Sequence, residues 1–593
     1  MDEFLLVVGP GNTLVEDFVT FATKEGGRKV AVISTADACR CLAGCAEVHA
    51  VEHFVRADFL RRCQGYPVSG LVLFLGRRPA PKERAVLDAV AELAGNQRPR
   101  RVVIVSSSRV HFGDRRADEV EADALARFKH LGSRITVLRP SPVLGPRSRA
   151  SAWLRALWFC YPLVPTRLKS CCVDADEMFA AVCRELSRPE RRGGRVYTLL
   201  GPNRPWRTLL RRHGAKGVVR RGLAVVTTLL SFLLVGHLAA ALFGAFARRS
   251  QRLRRWNFDT LYPESTADLL ALYNPYNHPH VKIVGYNNGV VHFGHRYPGR
   301  TVVSTVRCNR VARVRGETAT FDAGVTVRQA VEVLRRYGKE MHVLPNFSYV
   351  SLGTSFFVPI HGSASEFSTL GDTIERVILY DPAQDRFLAG KRESAAFRQN
   401  VYNLERDLLL LRLRLRVKEK SSYYVQLSRV EGLTGHEVLE IFRDPKPSNI
   451  EIRKAHAADR AVDVRRYYTS PPGEAADALP FPKDKLGRLW DRLEANPVTS
   501  FLFHWVVRRF IYHVELFLSS GEFPVFWETH GASPVSKIQL RFIKRDGLPH
   551  SPFRDHDCVS ADMSMRRKYK PVFDAYVKEK FRAVQFNPGK HSM

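Results

Sequence analysis

The stretch from Phe321 to Asp381 constrains this chain more than any other. It opens on a short strand ending at Gly324, continues as a helix-like run from Val327 to Tyr337, and then breaks into a loop holding Pro345. A Gly353-Thr354 turn, the tripeptide His361-Gly362-Ser363 and the turn Leu370-Gly371-Asp372-Thr373 follow. The stretch closes on an apolar strand, Ile374 to Tyr380, that includes Val377. Glycine turns beside strands let a backbone come close to a large flat ligand.

The order and spacing of these turns resemble the second half of the FAD-binding domain of the vanillyl-alcohol oxidase family, where the corresponding run wraps the flavin. The resemblance implies an FAD site built from Gly324, Pro345, Gly353, Thr354, His361, Gly362, Ser363, Leu370, Gly371, Asp372, Thr373 and Val377. The family carries an Arg-Gly-x-Gly-His-Ser pyrophosphate loop upstream. The nearest match here is Val291-His292-Phe293-Gly294-His295, which adds His292, Gly294 and His295 to the FAD set and favours a non-covalent flavin. Leu408 to Val417 alternates like a strand with one charged face and closes the FAD-binding domain, 257–420. Residues 421–593 are then the substrate or cap domain, with an aromatic-rich helix expected at 497–518. The tail, with a helix expected from about Met565 to Phe581 and a closing loop, is similar to that of aldonolactone and alditol oxidases and of decaprenylphosphoryl-ribose oxidase. In those relatives the loop often brings a lysine to the flavin, which here implies Lys590.

The N-terminal part has a different logic. Phe4 to Val8, Lys29 to Ser34, Leu71 to Leu75 and Arg101 to Ser107 are apolar strand runs separated by helical patterns. Alternating strands and helices predict a Rossmann-like, doubly wound parallel sheet over 1–203. Val103 to Ser108, Ile135 to Pro140 and Val143 to Pro146 resemble the atypical short-chain dehydrogenase/reductase family. That resemblance implies NAD(P) as a second cofactor, through Gly9, Gly11 and Ser107. Two departures favour a binding or structural domain over a working reductase. Leu14 stands where the third fingerprint glycine belongs, and Ala124, Leu125, Phe128 and Lys129 stand where the family has Tyr-x-x-x-Lys.

Between these parts lies Leu223 to Ala247, 25 residues without Asp, Glu, Lys or Arg, inside a basic-flanked segment, 204–256. A bilayer core needs about 20 apolar residues, so a hydrophobic membrane helix is expected, either spanning or lying in one leaflet. Net charge is +33. With no zinc-finger, RNA-recognition or helix-turn-helix pattern, this charge points to an anionic lipid surface and not to nucleic acid. The ten cysteines form neither a zinc nor a disulfide framework, which suggests a reducing compartment. MDEFLLVVGPG is too acidic and its apolar run too short for a secretory signal. The expected location is a membrane, the cell inner membrane or its equivalent, with the catalytic domains on the cytoplasmic side.

These readings give a multidomain α/β and α+β protein. Its expected function is a membrane-associated FAD-dependent oxidoreductase, oxidising a secondary alcohol of a sugar, polyol, lactone or lipid-linked sugar and passing electrons to an unidentified acceptor. His361, Lys590 and Asp557 are the candidate bases or flavin-side cations, and no metal is expected. A flavin-dependent reductase of a lipid double bond and a non-catalytic membrane scaffold with degenerate nucleotide-binding folds are the alternatives.

Overall fold

The computed structural model describes the chain outside residues 1–3, 10–12, 27–28, 35–46, 51–59, 62–66, 76–80, 111–113, 146–147, 157–168, 190–193, 213–224, 227–259, 286–296, 298, 346–349, 363–365, 368, 471–508, 582–583 and 588–593. Gly11, His292, Gly294, His295, Ser363 and Lys590 therefore lie outside the described residues. The chain divides into two compact units. One is Met1–Tyr262 with Ala267–Lys282 and Tyr297–Val303; the other is Pro263–Thr266 with Ile283–Arg296 and Ser304–Met593.

The first unit is built on seven strands: β1 (Phe4–Val8), β2 (Lys29–Ser34), β3 (Glu47–Ala50), β4 (Val68–Phe74), β5 (Arg101–Val105), β6 (Ile135–Pro140) and β7 (Arg195–Leu199). They lie in the order β7-β6-β5-β4-β1-β2-β3, every pair parallel. The order reverses at β1, between β2 and β4, which is the switch point of a doubly wound sheet. The strands read as continuous Val, Ile and Leu because both faces are covered. Leu5, Val7, Val32 and Val103 face α1 (Thr13–Gly26) and a later helix, Ala175–Ser187. Leu6, Val8, Leu71 and Ile104 face α2 (Pro81–Gln97).

Two details bear on the dinucleotide reading. A side chain on Gly9 would sit 2.7 Å from Val15 Cγ2 and 3.0 Å from Phe74 Cβ, so this glycine serves helix–strand packing. Phe128, near the expected place of a catalytic phenol, is fully buried in the second core, where it can neither donate nor accept a proton. Ser107 opens a short 3-10 turn, its carbonyl accepting from Val110 N at 3.2 Å.

The Tyr- and Asn-rich run after Leu272 locks onto the end of β7. Asn277 Oδ1 accepts from Leu200 N at 2.8 Å, and its Nδ2 donates to the carbonyls of Thr198 and Leu272. Tyr276 donates to Glu185 Oε1 at 2.5 Å.

The expected membrane helix has to be corrected. Among the described residues no helix is long and apolar enough to cross a membrane. The run that suggested one, 223–247, lies outside the described residues except for Val225 and Val226, which are exposed.

The second unit holds two antiparallel sheets. The first has β8 (Val311–Arg315), β9 (Thr318–Asp322), β10 (Lys339–Met341), β11 (Ile374–Asp381), β12 (Arg386–Lys391) and β13 (Leu409–Glu419). Its order is β8-β9-β13-β11-β12, with β10 also on β13. Its core gathers Phe321, Val325, Leu334, Phe356, Leu370, Val377 and Leu413, so most of the opening stretch of the sequence is internal to this core. The helix Val327–Arg336 starts from a capping box, Thr326 with Gln329.

The second sheet has β14 (Ser422–Glu431), β15 (Asn449–Lys454), β16 (Ala461–Ser470), β17 (Ile511–Ser519), β18 (Lys537–Ile543), β19 (Cys558–Arg566) and β20 (Gln585–Phe586), in the order β14-β16-β15-β18-β19-β17-β20. One face is apolar: Ile452, Val464, Val514, Leu516, Leu540, Ala561 and Met563 pack against helices Gly435–Arg443, Glu522–Thr529 and Lys570–Lys580. The helix expected at 497–518 is therefore corrected at its C-terminal half, where Ile511–Ser519 is a strand. Tyr512, Val514, Leu516 and Leu518 alternate into the apolar core while His513, Glu515 and Phe517 point the other way, and pairing with Cys558–Arg566 fixes the strand.

Behind the apolar face sits a buried His530. Burial, together with the Lys454 ammonium 3.0 Å from its Nε2, pushes its imidazole down to about 4. Nδ1 faces the Phe526 carbonyl, so Nε2 is left to accept from Lys454, which a protonated ring cannot do. Between pH 6.5 and 4 the unfolded chain takes up a proton that the folded chain refuses, so stability falls as pH falls across that window. The expected loss from this residue is about 2 kcal/mol between pH 7 and 4. Urea midpoints at pH 7, 6, 5 and 4 should show His530→Gln losing less on acidification than the parent. Equal losses would contradict this origin.

Candidate active site

The opposite face of the second sheet is polar and largely buried. Strand alternation places Asn449, Glu451 and Arg453 of β15 on it, with Arg465 and Tyr467 of β16, His513, Glu515 and Phe517 of β17, Gln539 and Arg541 of β18, and Ser560 and Asp562 of β19. Cross-strand pairs Glu451–Arg465, Arg453–Gln539, Arg541–Ser560, Gln539–Asp562 and Glu515–Asp562 align these residues in rows.

At one end this face meets the His361-Gly362 turn. His361 Nε2 lies 2.7 Å from Glu515 Oε1, and both side chains are buried. Glu515 is a hub: Ser560 Oγ donates to Oε1 at 2.5 Å, Asn587 Nδ2 donates to Oε2 at 2.6 Å, and Asn587 N donates to its carbonyl at 3.0 Å. Phe517 and Phe553 stand edge-on to the imidazole, with ring centroids at 5.8 and 6.4 Å. His361 Nδ1 faces the Gly362 carbonyl at 3.3 Å. Both ring nitrogens face oxygen atoms of the protein, so neither is presented to a substrate. The expected base is thus a fastener between the turn and the sheet.

Asp557 is also engaged in structure. Its Oδ1 accepts from Arg545 N at 2.9 Å and closes the loop between β18 and β19. A different pair has the form of a proton acceptor. His513 Nε2 contacts Asp562 Oδ1, while His513 Nδ1 is buried without a hydrogen-bond partner. A carboxylate holding one imidazole nitrogen leaves the other as the basic one.

The glycines of the opening stretch are needed by the protein itself. A side chain on Gly324 would lie 1.8 Å from the Thr305 carbonyl, on Gly353 2.8 Å from the Ala323 carbonyl, and on Gly371 2.1 Å from the Tyr402 hydroxyl. Gly362 abuts Val343 and Leu344. Leu370 and Val377 are core residues, Thr373 Oγ1 donates to Leu370 O at 2.7 Å, and Asp372 pairs with Arg392 at 3.0 Å. Pro345 is half-buried.

Several turns are stitched together around Ala323, whose N donates to Leu411 O at 3.0 Å. Gly353 N donates to Ala323 O at 2.8 Å, Thr305 N to Val284 O at 3.0 Å, and Ser304 Oγ to Gly285 O at 2.6 Å. Ser351 and Thr354 hydroxyls are 2.8 Å apart, and a side chain on Gly285 would fall 2.4 Å from Ser351 Oγ. The Ser351 and Thr354 hydroxyls, beside a Gly285 whose space a single Cβ would fill, fit a pyrophosphate-bearing cofactor such as FAD.

Sequence reasoning missed Glu515, His513, Asp562, Gln539 and Arg541. Glu515 did carry a signal, as a lone carboxylate inside the apolar run Val514 to Leu518.

Residues 260–384 match the family described as FAD binding domain. No curated protein matches the chain. Among solved structures, the chain is similar to a histidine-to-alanine mutant of cholesterol oxidase from Brevibacterium sterolicum, with 13% identity, a TM-score of 0.40, and 56% of this chain and 82% of that chain covered. It is also similar to cholesterol oxidase from B. sterolicum, with 11% identity, a TM-score of 0.39, and the same coverage of 56% and 82%. The matched domain supports a FAD-dependent oxidoreductase.

Proposed function

We propose that this FAD-dependent oxidoreductase oxidises a secondary alcohol of a polyhydroxylated substrate: a sugar, polyol, lactone or lipid-linked sugar. One observation carries the reading. On the polar face, Asn449 Oδ1, Arg453 Nε, Arg465 Nε, His513 Nδ1, Gln539 Nε2 and Arg541 Nη2 are buried without hydrogen-bond partners. Unsatisfied buried donors and acceptors are costly, and a substrate with several hydroxyls satisfies both kinds. Ser351 and Thr354, with the Gly285 turn, would hold the FAD. Bound there, FAD would supply the acceptor for the hydride of the substrate carbon. The hydroxyl proton leaves to His513 Nδ1, and Asp562 fixes the tautomer that makes this nitrogen the acceptor. His361 and Glu515 hold the turn and the sheet in register while this happens. Turnover would need a separate electron acceptor, and the +33 net charge makes an anionic bilayer surface part of the same proposal.

The test is anaerobic mixing of the FAD-loaded protein with a panel of polyols and sugars while flavin absorbance is followed. At least one should bleach the flavin. His513→Gln should slow bleaching about 100-fold with little change in substrate affinity. Bleaching at the parent rate would remove His513 from the proton path, and no bleaching by any alcohol would overturn the reading.

A further inference from the structure

The polar face carries three arginines close to a single carboxylate, Glu451. Resting on the reading of that face as the substrate surface, we infer that the substrate carries an anionic group, a carboxylate or a phosphate, held by Arg453, Arg465 and Arg541. These arginines stand on three neighbouring strands, β16, β15 and β18. Arg465 is directly opposite Glu451, and Arg453 is opposite Gln539. Arg541 is 4% exposed, yet its Nη2 has no hydrogen-bond partner, and Glu451 Oε1 is 3.8 Å away. Glu451 is already taken at 2.9 Å by Arg453 Nη2. The Nε atoms of Arg453 and Arg465 are also buried and unpartnered.

The other carboxylates on this face are committed. Asp562 holds His513, and Glu515 holds His361, Ser560 and Asn587. Asp463, opposite Arg453, is exposed. Among the described residues, Glu451 is the one carboxylate within salt-bridge distance of these guanidiniums. Buried charge without a counter-ion is strongly unfavourable. Guanidinium forks match the planar or tetrahedral oxygens of carboxylate and phosphate through paired N–H donors. A neutral polyol can fill the orphaned hydrogen bonds but offers the guanidiniums no counter-charge.

Calorimetric titration of the FAD-loaded protein with sorbitol, gluconate and sorbitol 6-phosphate tests this without relying on turnover. At least one anion should bind ten-fold or more tightly than sorbitol, and which one binds identifies carboxylate or phosphate. Arg541→Gln should weaken that binding at least ten-fold, and Arg541→Lys should fall between, because it keeps the charge and loses the fork. Arg443→Gln, on an exposed helix, should bind like the parent. Thermal melts confirm that each variant is folded. Sorbitol binding as tightly as the anions, no binding of any probe, or unchanged anion binding in folded Arg541→Gln would overturn the inference. Arginine-dependent anion binding with no alcohol bleaching the flavin would sink the oxidation reading and leave the anion site standing.

Discussion

Replacing Glu515 by leucine is expected to cost about 4 kcal/mol of stability and to loosen the flavin site. The carboxylate is fully buried and receives His361 at 2.7 Å, Ser560 at 2.5 Å and Asn587 at 2.6 Å. Leucine leaves all three polar groups buried without their partner, and each orphan costs about 1–3 kcal/mol, partly relieved by relaxation. Glutamine should cost less, about 2 kcal/mol, because its single carbonyl can serve either the His361 side or Asn587 but not both. The consequence reaches the cofactor, since His361 leads directly into the Gly362 turn. Urea midpoints and FAD retained through gel filtration measure both effects. A leucine variant within about 1 kcal/mol of the parent, with FAD retained, would show that this hub fastens nothing.

Gly324→Ala is the second large effect. The added methyl would stand 1.8 Å from the Thr305 carbonyl and 2.6 Å from the Cys308 carbonyl. Both obstacles are backbone, so no rotamer relieves them. Gly324 N also donates to that Cys308 carbonyl at 3.1 Å, which fixes the distance. The expected cost exceeds about 4 kcal/mol, with the neighbouring turn at Gly353 displaced through Ala323. Gly338→Ala is the control. Gly338 has φ +66° with nothing within 4 Å of a Cβ, so only the left-handed backbone penalty of about 1 kcal/mol applies. Similar costs for the two substitutions would contradict the packing account.

The contrast between these glycines also explains what was legible in the sequence. The spacing of Gly324, Gly353, Gly362 and Gly371 signals tight approach, and the approach is real. Its immediate partner, however, is the protein's own backbone, the Tyr402 hydroxyl or, at Gly362, the Val343 side chain. The parallel strands of the first unit were legible because two buried faces write continuous Val, Ile and Leu runs. Ile511–Ser519 was misread because a helix period fits its apolar residues about as well as alternation does, and only pairing with Cys558–Arg566 selects the strand. The polar face was invisible for a related reason. Glu451, Arg465, Arg541 and Asp562 sit on separate strands, where each reads as the solvent side of an amphipathic strand. Only the sheet order brings them together and only burial shows that this side is not solvent.

The most direct test of the central claim is the visible spectrum of the purified protein after incubation with FAD and removal of the unbound cofactor. The account predicts a yellow protein that retains about one FAD per chain, released on denaturation, and a Glu515→Leu variant that retains far less. A colourless parent protein that takes up no FAD would contradict it.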